Sequence, residues 1–147
     1  IMNYISILEQ AFIIFSLKPY NKNLRKELGK LRKIYFWDIG VRNAIIRNLN
    51  PLDLRSPNEI GQLWENFIIS ERLKRNNNLN IDKETYFWRI QKPHSQEIDY
   101  LEIGNYIDAF ECKFTDKKWK ASKLFIETYN PRITKLITKE NFLEFVG

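Results

Sequence analysis

The sequence has one cysteine, one histidine and no apolar run long enough to span a bilayer. A lone Cys112 excludes an internal disulfide and any zinc site built from several cysteines. It also suits a reducing cytoplasm, the expected location. The single histidine, His94, falls in the polar loop QKPHSQE and reads as a solvated loop residue, so no serine–histidine–acid set can be assembled around it. No stretch approaches the roughly 18 to 20 apolar residues of a spanning helix, and no membrane partner is expected. The opening IMNYISILEQ carries a glutamate and lacks a basic n-region, so it is not a signal peptide. It opens in mid-pattern, as a piece of a longer chain would. No G-x-x-x-x-G-K-[ST] loop occurs, so ATP binding is not expected of these 147 residues.

What is present is apolar, aromatic and basic. Hydrophobic residues make up 44% of the chain and aromatics 14%, enough for one compact domain with a small appendage. The net charge is +6. One basic group gathers Lys22, Arg25, Lys26, Lys30, Arg32 and Lys33; another, Lys117, Lys118, Lys120 and Lys123, surrounds Trp119. Such groups either form a solvated face or bind phosphate backbones or acidic protein faces.

Apolar spacing predicts a helix over 3–11, a strand in AFIIFSL and a short strand in KIYFW. Asp38 is suited to cap the helix that follows, which Asn50-Pro51 closes. The loop up to Ser56 divides an N-terminal appendage, 1–55, from a core, 56–147. Ser56-Pro57-Asn58-Glu59 is a strong helix start, with serine as cap, proline in the first turn and the glutamate completing a capping box. That helix is expected to run to about Arg75, where the asparagines at 76–78 stop it. Strands follow in ETYFWRI, EIDYLEI and YIDAFECKF, then a helix over 119–129 ended by Asn130-Pro131, then the strand RITKLIT. NFLEFVG is left without an assigned type. The order αβββαβ gives an α/β core: a mixed sheet with helices on both faces.

The stretch EIDYLEIGNYIDAFECKF raises the chemical question, because it sets Asp99, Glu111 and Lys113 on a hairpin. A two-residue turn at Gly104-Asn105 would send Asp99 and Glu111 to opposite faces. A three-residue turn, Gly104 to Tyr106, pairs Ile103 with Ile107, Leu101 with Ala109, and Asp99 with Glu111. Tyr100 then meets Phe110 and Ile98 meets Cys112 on the other face. The matched apolar pairs favour this second register. Two carboxylates so placed must share a proton or bind a cation, and hard oxygen donors suit Mg²⁺ or Mn²⁺. Lys113 could orient a water or stabilise charge on a phosphate. Glu65, with Gly61 one turn before it, is the helix acid expected to join them; Glu71 competes for that role. A metal-free salt-bridged cluster is the structural alternative.

These residues resemble the PD-(D/E)XK, or restriction-endonuclease-like, nucleases. Glu65 matches the acid of the first helix, Asp99 the motif aspartate, and Glu111-Cys112-Lys113 the (D/E)-x-K motif; Ile98 stands where a proline is common. A closer likeness spans most of the chain. KIYFWDIGVRNAII, GQLWENFIISERL, TYFWRI, EIDYLE, AFECKF and ASKLFIETYNP are similar to the C-terminal domain of uncharacterised prokaryotic AAA+-type P-loop ATPases. The resemblance implies an N-terminal ATPase domain elsewhere in the intact protein. The likeness to the PD-(D/E)XK nucleases implies either divalent-metal-dependent hydrolysis of DNA at Glu65, Asp99, Glu111 and Lys113, or an inactive nuclease-like module that docks or regulates. A third possibility is homodimerisation through an aromatic surface.

Overall fold

In the computed structural model, the described residues are 2–21, 31–91, 94–115 and 118–147. In chain order they form α1 (Met2–Gln10), β1 (Ile14–Pro19), β2 (Lys33–Phe36), α2 (Ile39–Ile45) and a 3-10 turn (Leu52–Leu54). Then come α3 (Pro57–Asn78), β3 (Glu84–Ile90), β4 (Gln96–Ile103), β5 (Ile107–Cys112), α4 (Lys123–Tyr129), β6 (Ile133–Ile137) and α5 (Phe142–Val146). The strands make one mixed six-stranded sheet in the order β2-β1-β3-β4-β5-β6. Pairing is parallel for β1/β3 and β5/β6 and antiparallel for the others. The crossover through α4 lets β6 lie parallel to β5. Among the described residues no helix is long and apolar enough to cross a membrane.

Two strands from the N-terminal part, β1 and β2, belong to the sheet. β1 pairs with β3, and Phe15, Leu17 and Tyr35 share one buried cluster with Trp64, Ile68 and Ile69 of α3, Tyr100, Phe110 and Phe145. The other face of the sheet buries Trp88, Ile98, Leu101 and Ala109 against Phe125 of α4. Phe87 and Trp88 are therefore core residues on opposite faces. Fully burying a side chain such as Ile68 or Ile69 stabilises the fold by about 2 to 3 kcal/mol. By contrast, α2 buries none of its residues. It is held at its start by Asp38, whose Oδ1 accepts from the Gly40 and Val41 amides, and at its far side by Arg55. The Arg55 guanidinium donates to the Asn48 and Asn50 carbonyls and to the Asn43 side chain.

Three sequence expectations change in detail. At α3 the Ser56 hydroxyl does accept from the Glu59 amide, but the Glu59 carboxylate turns to Arg55 and Asn48 instead of closing a capping box. The helix also runs through the three asparagines to Asn78, because Asn76 is buried and donates to Glu102 of β4 at 2.7 Å. Asn80, with φ of 52°, makes the turn that follows. The helix expected over 119–129 begins only at Lys123, since Ser122 caps it by accepting from the Phe125 amide. The unassigned NFLEFVG contains α5, which packs Phe145 against Tyr100 and Phe110.

Candidate functional site

The hairpin register follows from the apolar pairs: Ile103 lies opposite Ile107, Leu101 opposite Ala109 and Tyr100 opposite Phe110. The turn is therefore Gly104-Asn105-Tyr106. One part of the expected facing is overturned. Between β3 and β4 the register shifts from Tyr86↔Leu101 to Trp88↔Ile98, so Asp99 and Tyr100 together oppose Phe87 in a β-bulge. The bulge breaks the alternation, and Ile98 joins Leu101 and Ala109 instead of Cys112. It also re-aims Asp99. Its Oδ2 accepts from the Cys112 amide of β5 at 3.1 Å, while Oδ1 lies 3.1 Å from Lys33 Nζ.

Glu65 is brought to the same place by α3. Its Oε1 accepts from Lys33 Nζ at 2.9 Å and from the Tyr35 hydroxyl at 2.6 Å. Glu71, its competitor, pairs with Lys74 at 2.6 Å, away from the cluster. Lys33 also pairs with Glu97 of β4. Sequence grouped Lys33 with cations facing phosphate. The structure turns it inward, because β2 alternates and Lys33 shares a face with buried Tyr35 and lies opposite buried Leu17. Glu111 follows on β5, its Oε1 2.7 Å from Lys113 Nζ and its Oε2 buried without a hydrogen-bond partner among the described residues.

The charges act on one another. Burial first, then the Asp99 charge, pushes the Glu111 carboxyl up from 4.5 to about 7, against the pull of Lys113. Burial and Asp99 likewise raise Glu65, opposed by Lys33 and Tyr35. Burial alone would lower the Lys33 pKa, but Asp99 and Glu65 outweigh it and raise it. The Tyr35 hydroxyl is raised by burial and by Glu65, and stays a donor. Burial also raises the Cys112 thiol, which suits a structural residue rather than a nucleophile.

Two openings meet at Glu65. One, about 520 Å³, is lined by Pro57, Asn58, Gly61, Glu65, Lys113 and Phe114. The other, about 350 Å³, is lined by Lys33, Tyr35, Gln62, Glu65, Asn66 and Glu97. Gly61 leaves the first open, since a Cβ there would meet no atom within 4 Å.

The donor set Glu65, Asp99 and Glu111 has the chemistry of a hard-cation site. As placed, it does not fit one. Among the described residues no three or more His, Cys, Asp or Glu side chains could hold a metal ion. The Lys33 ammonium lies between Glu65, Glu97 and Asp99. Of the expected nucleic-acid-binding residues, Lys22, Arg25, Lys26, Lys30 and Lys117 lie outside the described residues. Lys118, Lys120 and Lys123 are exposed, Lys123 beside Glu127. Arg32 is half-buried, and His94 is exposed in its loop.

Fold and site define an α/β domain with an acidic cluster at one part of a mixed sheet. The chain belongs to the family described as "Domain of unknown function (DUF4143)", which matches residues 60–141. A second family, "Domain of unknown function (DUF8612)", matches residues 1–53. Two mycobacterial relatives are each 26% identical over 112 residues: "Uncharacterized protein Rv2008c" of Mycobacterium tuberculosis and "Uncharacterized protein Mb2031c" of Mycobacterium bovis. The aligned part is 76% of this chain and 24% of each relative, so the chain spans about a quarter of their length. No solved structure matches it.

Proposed function

We propose that this chain is a nuclease-like module with a restriction-endonuclease-like core, carried in the intact protein by a P-loop ATPase domain, and that it binds the DNA backbone without hydrolysing it. The observation that carries the reading is that Lys33 joins Glu65 and Asp99, while Glu111 of the adjacent β5 pairs with Lys113. The αβββαβ order and the hairpin register support the nuclease-like core. The net charge of +6 and the exposed lysines near Trp119 support contact with phosphates. The length of the relatives supports a larger parent protein.

A gel-shift titration with a labelled duplex, with and without millimolar Mn²⁺, tests this. Binding should weaken linearly with salt on a log–log plot, and the duplex should stay intact. No shift at low salt would remove DNA as the partner. A second reading, metal-dependent hydrolysis by the same module, is favoured by the unpartnered Glu111 Oε2 and by Lys113 beside it. Mn²⁺-dependent cleavage that disappears in Asp99→Ala would establish that reading instead.

A further inference from the structure

One ammonium among three carboxylates is an unusual use of a lysine on a short edge strand. Lys33 Nζ lies 2.9 Å from Glu65 and 3.1 Å from Asp99, and it also pairs with Glu97. It reaches them over the ring of Phe87, 5.6 Å from the centroid. Among the described residues no other cation forms an ion pair with Glu65 or Asp99, whereas Glu97 also pairs with Arg89 at 3.3 Å. The three acids come from α3 and β4, whereas the lysine comes from β2, which among the described residues is paired only with β1. The cation is therefore delivered by an element separate from the one that builds the acidic wall.

We propose that Lys33 is the resident cation of this site. Its ammonium holds the place that a divalent ion would need between Glu65, Glu97 and Asp99, and loss of that ammonium converts the cluster into a site for Mg²⁺ or Mn²⁺. The inference rests on the nuclease-like reading for the class of ion. Glu65 is partly buried and lies near the Asp99 charge, which opposes its ionisation, while Lys33 favours it. Deleting the lysine leaves these carboxylates either to take up protons or to gather a hard cation with oxygen ligands. Lysine and metal are mutually exclusive here, because both would occupy the same space between Glu65 and Asp99.

Calorimetric titration with Mn²⁺ of the wild type, Lys33→Met and Lys33→Met/Asp99→Asn tests the proposal. Methionine keeps the length of the stem over Phe87 and removes the charge. Lys33→Met should bind one Mn²⁺ at least tenfold more tightly than wild type, and its melting temperature should rise with added Mn²⁺. The second substitution should abolish both effects. Equal Mn²⁺ affinity in wild type and Lys33→Met, or no binding by a folded Lys33→Met, overturns it. A measurement on the wild type alone covers the case in which the variant does not fold. Paramagnetic broadening of the Tyr35 and Asn66 signals at low Mn²⁺ would show metal entering beside the lysine, and would also overturn it. Their persistence to high Mn²⁺ supports it. The DNA shift of the wild type reads the nuclease-like module separately, so the two ideas fail by different measurements.

Discussion

Replacing Glu111 with glutamine should stabilise the protein at alkaline pH and leave it nearly unchanged at acid pH. The side chain is 8% exposed, and burial together with Asp99 raises its carboxyl from 4.5 to about 7. The folded state therefore holds the Glu111 proton more tightly than the unfolded chain does. The sign follows from linkage: the stabilising proton is fully present below pH about 4.5, and its contribution is lost as pH rises through about 7. At 1.36 kcal/mol for each tenfold change, the ionised Glu111 costs the fold about 3 kcal/mol above that range. The attraction of Lys113 is already contained in that value, because it pulls the other way. Glu111 and Glu65 repel each other's charge, so the transition belongs to the pair and is broader than a single ionisation.

Glutamine imitates the protonated carboxyl and cannot ionise. In urea denaturation the Glu111→Gln variant should match wild type within about 1 kcal/mol near pH 4.5, and exceed it by about 2 to 3 kcal/mol near pH 8. The slope with urea should be unchanged, which would show that the folded and unfolded states expose the same surface. A variant destabilised by the same amount at both pH values would refute the reasoning. It would mean that Glu111 acts through its contact with Lys113, not through the charge it is forced to carry.

Arg72→Met should cost about 3 to 5 kcal/mol in the same assay, since it strips the guanidinium from Glu102, which is 2% exposed and bound at 2.7 and 2.9 Å. Adding Glu102→Leu should recover most of that loss; a double variant no better than the single would show that the Arg72 contacts to Phe145 dominate. Gly61→Ala should raise stability by about 0.5 to 1 kcal/mol, because the new Cβ meets nothing within 4 Å and glycine is a poor helix former. A loss of stability there would mean that the cavity beside Glu65 is narrower in solution than its 520 Å³ indicates.

Much of the fold was legible because local signals agreed with the packing. Ser56 caps α3, Asn130 ends α4 in a left-handed turn with φ of 47°, and paired apolar residues set the hairpin register. The mistakes fell where a long-range partner overruled a local preference. Asparagines are weak helix formers, but Asn76 gains a buried carboxylate across the sheet and carries α3 onward. The bulge at Asp99 went unread although EIDYLEI carries a trace of it: the apolar phase of Ile98 and Tyr100 changes at Leu101 and Ile103, and the pairing with β3 puts the extra residue just there.

Lys33 was misread for a different reason, and the sequence held the means to correct it. Nearness in sequence to Lys22, Arg25, Lys26, Lys30 and Arg32 suggested a shared, outward role. KIYFW was also read as a strand, and period-two geometry puts Lys33 on the face of Tyr35, not of Ile34. Tyr35 is buried and Ile34 exposed, so the same alternation that buries the tyrosine must drive the lysine toward the core. A buried ammonium requires a carboxylate within reach. The acidic cluster inferred from Glu65, Asp99 and Glu111 was the one the sequence offered. Strand parity applied to β2 turns Lys33 inward; which acids it meets depends on β2 joining the sheet through β1, and that the sequence did not show.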